Sequence, residues 1–292
     1  MSSLIDDFKS SFLNKDILMK IILINSIVYL ITLLSSVICF LFKLPDPIAE
    51  FSTNYLMLPA STSQLLAHPW TIITYMFLHN GIFHILFNML VLYWFGGIFK
   101  DFLGNQKFIY TYFLTGIFGG LFYVLCYNIF PYFSSSVEYS RALGASAAIM
   151  GIVFGTATLV PNFEVMFAIF GAIRLKYIAF IYLIIDLVGI TSSNSGGHLA
   201  HIGGALFGFI IVKQLQNGND WTKLPSKLID SVTKLFQKRK LKVAYKSSEP
   251  ITVKKVAVSQ EEVDRILDKI SQSGYDNLTS KEKEILFKAG KQ

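Results

Sequence analysis

"LGASAAIMG", Leu143 to Gly151, places one serine among small residues at the head of an apolar run that continues to Val160. A hydroxyl taken out of water there is costly unless it meets a partner or a hydrated cavity. Further along, "GGHLAHIGGALFG", Gly196 to Gly208, sets two imidazoles in a similar small-residue run. The fold turns on whether these two stretches are neighbouring helices that cross a membrane.

Composition argues that they are. The chain has 292 residues, of which 53% are hydrophobic and 15% charged, with 26 Phe and 14 Tyr, a balance that an ordinary soluble domain of this length does not need. An all-α, polytopic membrane protein is expected. Lys plus Arg balance Asp plus Glu up to Val212, so the net charge of +7 belongs to the segment from Lys213 onward. A basic tail after the last span suits a cytoplasmic segment near anionic lipid, and its lysines are too interspersed with acids to suggest nucleic-acid binding. Cys39 and Cys126 fall inside apolar runs and read as packing residues.

Apolar runs of about 20 residues cross a hydrocarbon layer of about 30 Å. Spans are expected near Ile21 to Phe42, Ile82 to Phe99, Phe108 to Phe130, Gly144 to Val160, Lys176 to Ile190 and His198 to Gln214. The stretch "NFEVMFAIFGAIRLK" reads as an interfacial or re-entrant hairpin before the fifth span. Lys9, Lys15, Lys20, Lys100, Lys107, Arg174, Lys176 and the tail then fall on one side, and Lys43 and Arg141 on the other. With positive charge inside, both termini are cytoplasmic, and a multi-pass protein of the plasma (inner) membrane is expected.

This topology puts polar residues of three spans at one depth near the outer face: His84 and Asn88, Ser146, and His198 and His201. Intramembrane polar residues are functional candidates by default. Serine becomes a nucleophile when a base can take its proton, and imidazole suits that task. Ser146 and His201 fit the two roles. Gly151/Gly155 and Gly204/Gly208 have the small-xxx-small spacing that lets transmembrane helices approach closely. His84 and Asn88, four apart, share a helix face and could supply oxyanion donors beside the Ser146 N–H. Each feature alone also suits plain helix packing; their shared depth favours chemistry.

In this order and spacing, from about Trp70 to Gly208, the chain resembles the rhomboid intramembrane serine proteases, particularly their six-span bacterial form. "PWTIITYMFLHNGIFHILFN" is similar to the family's Trp-led segment and second span, with His79, His84 and Asn88 at its recurring positions. "GASA" is similar to the nucleophile motif, with Gly144 and Ser146, and "AHIGGALFG" to the sixth-span motif, with His201, Gly204 and Gly208. The resemblance implies a six-transmembrane-helix bundle, a Ser146–His201 dyad without an acidic third member, and an oxyanion hole of His84, Asn88 and the Ser146 N–H. It also implies cleavage of transmembrane segments of membrane proteins near their outer end, with no metal or organic cofactor. By the same likeness, the loop from Lys43 to His79 dips into the outer leaflet and the fifth span is a lateral gate. The chain departs from the family pattern at Ala147, often Gly; at Met150, commonly an aromatic that packs on the base; and at Thr71, often Arg. Asp186 reads as a structural or outer-interface residue, since no spacing brings it to His201.

Four regions are expected: a cytoplasmic N-terminus (1–20), the membrane domain (21–217), a basic linker with an amphipathic helix (218–258), and a small helical hairpin (259–292). Ser259/Glu262 and Thr279/Glu282 both have capping-box spacing. The tail is open to docking on its own membrane domain or on another partner. Two other functions compete with proteolysis: an inactive rhomboid-like binder of transmembrane clients, and a metal-dependent hydrolase using His79, His84, His198 and His201. The second lacks an acidic companion in the second, fourth or sixth span.

Overall fold

The structure, a computed structural model, describes residues 16–167, 171–223 and 259–290. The amphipathic helix read in the basic linker falls in 224–258, outside the described residues, as does the N-terminus up to residue 15. Two compact units divide the chain, Met1–Phe236 and Gln237–Gln292.

The first unit is an all-α bundle with two small ribbons. Helix α1 (Ile17–Phe42) starts where the Asp16 side chain accepts the Leu18 N–H at 3.1 Å, and it ends at Lys43 in the left-handed region, before Pro45. Short helices α2 (Pro47–Phe51), α3 (Thr62–Ala67) and α4 (Thr71–Thr74), with strand β1 (Leu58–Pro59), punctuate the long loop. Helix α5 (Ile82–Ile129) is 48 residues long but is broken at Gly104, where φ is 82°. A straight helix of that length would run about 72 Å. Residues from both of its ends line one cavity instead, so the second and third spans form a helical hairpin about Gly104.

Strand β2 (Arg141–Ala142) pairs antiparallel with β1 and leads into α6 (Ser146–Leu159). After α6, strands β3 (Glu164–Phe167) and β4 (Gly171–Arg174) form an antiparallel ribbon in register Glu164↔Arg174. The expected hairpin here is therefore a β-ribbon, closed at its open end by an Arg174–Glu164 ion pair of 3.2 Å. Helices α7 (Leu175–Gly189) and α8 (Ser195–Gln216) complete the bundle. Helices α1, α5 and α8 are long and apolar enough to cross a membrane, and α6 is a shorter apolar helix.

Bare glycine surfaces bring α5, α6 and α8 together. A methyl group added at Gly204 would collide with the Ala147 carbonyl, one at Gly208 with the Gly151 carbonyl, and one at Gly151 with the Thr115 side chain. This is the close backbone approach expected of small residues in transmembrane packing. At 14 residues α6 is about 21 Å long, short of the ~30 Å layer, so one of its ends must sit within the bundle. A polar cavity lies at its Ser146 end.

In the second unit, α9 (Gln260–Ser273) and α10 (Ser280–Ala289) form a small helical pair with Ile266 and Leu278 buried. Thr279 and Glu282 make the expected capping box. Ser259 does not use its side chain as a cap; its backbone carbonyl takes the Glu262 and Val263 N–H groups at 3.1 and 3.2 Å instead.

Candidate active site

Ser146 is the first residue of α6, so its backbone N–H has no carbonyl within the helix to accept it. The approach is set by Gly144, whose N–H donates to the Tyr75 carbonyl at 2.9 Å and whose φ of 128° is one that other residues rarely adopt. A methyl at Gly144 would lie 3.0 Å from His84 Nε2 and 3.3 Å from Ser146 Oγ, so imidazole and hydroxyl flank the same bare backbone.

His84 sits in the first turn of α5. Its Nδ1 accepts the Asn80 N–H at 3.3 Å, which places the proton of the neutral ring on Nε2, the atom near Ser146. The His79 ring packs edge-on against His84 with centroids 5.1 Å apart and does not itself line the cavity. One turn after His84, Asn88 is buried and lines the cavity, and its Nδ2 has no hydrogen-bond partner. A buried, unpartnered amide donor beside a cavity is costly unless a ligand or water uses it.

His201 lies on α8 and lines the same cavity of about 730 Å³ as Ser146, His84 and Asn88. Its Nδ1 is 2.8 Å from Asp186 Oδ1, and His198 Nδ1 is 2.9 Å from the same oxygen. The expectation that Asp186 stays apart from His201 is overturned. Helices α7 and α8 run antiparallel through a short turn, so a residue near the end of one is level with residues near the start of the next. Asp186 is 3% exposed, a buried carboxylate satisfied by two imidazoles. An acidic residue inside a span was the signal available in the sequence, because such residues pair. The second, fourth and sixth spans hold no carboxylate beside these histidines, as the sequence indicated, but α7, at the place of the fifth, supplies one. Oδ1 and the two Nδ1 atoms lie within 4.8 Å of one another, and the 2.8 and 2.9 Å separations are hydrogen-bond lengths.

Ser146 and His201 share the cavity without a direct hydrogen bond among the described residues. Such bonds commonly tighten only when substrate is bound. Met150 is buried in α6, one turn below Ser146, and is not a lining residue. Tyr123 and Tyr127 of α5 line the cavity and were not singled out in the sequence.

A family model described as the rhomboid domain matches residues 66–216. The chain belongs to the rhomboid family. A second model, of a family of unknown function, matches residues 253–291. The rhomboid domain is similar to the presenilin-associated rhomboid-like protein, mitochondrial, of Bos taurus, at 31% identity over 50% of this chain and 37% of that protein. It is similar at 31% identity to the "Putative rhomboid protease YdcA" of Bacillus subtilis (strain 168), over 49% of this chain and 65% of that one. It is 36% identical to Inactive RHOMBOID-like protein 8 of Arabidopsis thaliana over 26% of this chain and 22% of that protein. The match thus spans less than two thirds of each relative's length.

This rhomboid domain is a multi-pass membrane protein, and its polar cavity is lined by α5, α6 and α8 and by the segments that lead into them. Its long loop is anchored without an arginine at Thr71: Trp70 Nε1 donates to the Tyr55 carbonyl at 2.8 Å, and Thr74 Oγ1 to the Leu56 carbonyl at 2.7 Å. Tyr75 OH donates to the Gly116 carbonyl at 2.6 Å. Thr71 turns inward and bonds the His68 carbonyl at 2.7 Å.

Proposed function

We propose that this rhomboid is an intramembrane serine endopeptidase that cuts transmembrane segments of membrane proteins near their outer end. One observation carries the reading: a serine at a helix N-terminus, an imidazole held through Nδ1, and an unpartnered amide donor all line one cavity. An inactive binder of transmembrane clients would have no use for that combination.

In the proposed reaction Ser146 Oγ attacks the scissile carbonyl carbon while its proton passes to His201 Nε2, the nitrogen left available once Nδ1 is engaged. Negative charge collects on the former carbonyl oxygen. The donors offered to it are His84 Nε2–H, the Asn88 amide and the Ser146 N–H. The imidazolium then gives its proton to the departing amine, the C–N bond breaks, and an acyl-serine remains. Water attacks that ester with His201 again taking the proton, which releases the carboxylic acid product and restores Ser146. The chemistry draws on side chains and water, so no cofactor is invoked. Positive charge places the termini in the cytoplasm, with the cavity near the outer face of the plasma (inner) membrane.

The test is labelling of the detergent-purified full chain with a fluorophosphonate probe, followed by cleavage of a reporter transmembrane segment. An adduct on Ser146 that is lost in Ser146→Ala and His201→Ala is expected. A folded wild-type protein that neither labels at Ser146 nor cuts would sink the reading in favour of client binding.

A further inference from the structure

Asp186 plays no part in the dyad that the family resemblance implies, yet it is the best-placed partner His201 has. On the site half of α7, from Phe180 to Gly189, it is the buried residue, while Ile181, Ile184, Ile185, Leu187 and Val188 are exposed on the bundle surface. A carboxylate on such a helix turns away from the apolar surface and needs partners inside the bundle. Those partners are two imidazoles on α8, both presenting Nδ1 to the same oxygen, at 2.8 Å for His201 and 2.9 Å for His198. A carboxylate oxygen has two lone pairs and accepts both bonds; an ionised carboxylate can only accept, so each ring must carry its proton on Nδ1.

We propose that Asp186 is a positioning residue for the base: it fixes His201 as the Nδ1–H tautomer with Nε2 unprotonated and available to Ser146, while His198 holds the carboxylate in place. The site then has the logic of a serine, histidine and aspartate in line, with the acid supplied by the fifth span. In such an arrangement the carboxylate stays ionised, sets the ring's orientation, and stabilises the imidazolium that forms when the serine proton arrives. His198 prevents the Asp186 side chain from rotating away when His201 moves toward the serine. Asp186 on α7 bonds His201 and His198 of its own helix, while His84, Tyr123 and Tyr127 on α5 and Arg141 on β2 are the charged and titratable groups that line the cavity with His201. Asp186 is the carboxylate among them. The kinetic part of this inference rests on the protease reading; the tautomer part does not.

The experiment uses the full chain in detergent with selectively ¹⁵N-labelled histidine, practical because the chain has five. His198→Gln and His201→Gln assign the signals. In the wild type, His198 and His201 are both expected as Nδ1–H. Asp186→Asn keeps the shape and removes the charge, and His201 should then lose that fixed tautomer. In parallel, the limiting rate of Ser146 phosphonylation should fall roughly 10²- to 10⁴-fold in Asp186→Asn with little change in probe affinity, a split that mere loosening of α7 would not produce. A wild-type His201 protonated on Nε2 overturns the proposal with no variant needed, and so does an Asp186→Asn protein that labels at the wild-type rate. If Ser146 never labels while both histidines are Nδ1–H in the wild type and not in Asp186→Asn, the protease reading fails and the positioning role stands. If Ser146 labels equally in both proteins, the positioning role fails and the protease reading stands.

Discussion

Gly204 of α8 lies so close to the carbonyl of Ala147, the residue after Ser146, that no side chain fits between them. The backbone carrying the base and the backbone carrying the serine are therefore in direct contact, and their separation is set by a missing methyl group. Gly204→Val is predicted to destabilise the bundle by about 3 kcal/mol, the upper end of ordinary overpacking, because the obstructing atom belongs to a helix backbone that cannot swing aside. Thermal unfolding in detergent measures this. Gly97→Ala, at a position with nothing within 4 Å, is the control and should unfold at or above the wild-type temperature.

Gly144→Ala is expected to weaken the site more than the fold. The new methyl would sit 3.0 Å from the His84 ring on a backbone with φ of 128°. Displacing His84 by a few tenths of an ångström and straining the serine's approach should slow Ser146 phosphonylation by about tenfold to a hundredfold. The strain itself should cost about 1–3 kcal/mol in the unfolding free energy. Unchanged labelling would show that the approach tolerates the side chain.

Asn88→Ala should separate activity from stability. The Asn88 Nδ2 group is buried without a partner, so deleting it removes a desolvated donor rather than a made hydrogen bond. Unfolding temperature is expected to hold or rise. Turnover of a transmembrane reporter should fall about 10²- to 10³-fold, as it does when one oxyanion donor is removed. Parallel loss of both quantities would instead make Asn88 a packing residue.

The C-terminal helical pair offers a pH test away from the membrane domain. The Lys269 hydrogen bond, with those of Thr279, holds the Glu282 carboxyl at about 2, well below its ordinary 4.5. A depressed carboxylate contributes stability that is fully present above about 4.5 and is lost as pH falls toward about 2. The protection factors of residues 279–283, amide exchange corrected for its intrinsic pH dependence, should therefore fall as pH falls across that window. Glu282→Gln should exchange faster at neutral pH and show little of this dependence.

Much of this fold could be read from apolar run lengths. The six helical segments lie close to where those runs place them, and the break between the second and third spans falls at Gly104, inside the polar interval between Phe99 and Phe108. The strands at 164–167 and 171–174 were not legible as such, because a short apolar run does not distinguish an extended hairpin from a re-entrant one. The loop anchors were hidden for another reason: Trp70, Thr74 and Tyr75 bond backbone carbonyls, which every residue offers alike.

By itself the sequence determined that the chain is a multi-pass membrane protein, roughly where its helical segments lie, and that Ser146, His84, Asn88 and His201 fall in the first two turns of helices. These follow from local properties, the length of an apolar run and the distribution of positive charge, measured against a bilayer of known thickness. Only the tertiary structure decided that Asp186 faces His201 and that the Asn88 amide is left without a partner. A span can be rotated about its own axis with almost no change in its hydrophobic burial, since lipid and helix surfaces are about equally apolar. Which way one carboxylate points in α7 is settled by the two imidazoles waiting on α8.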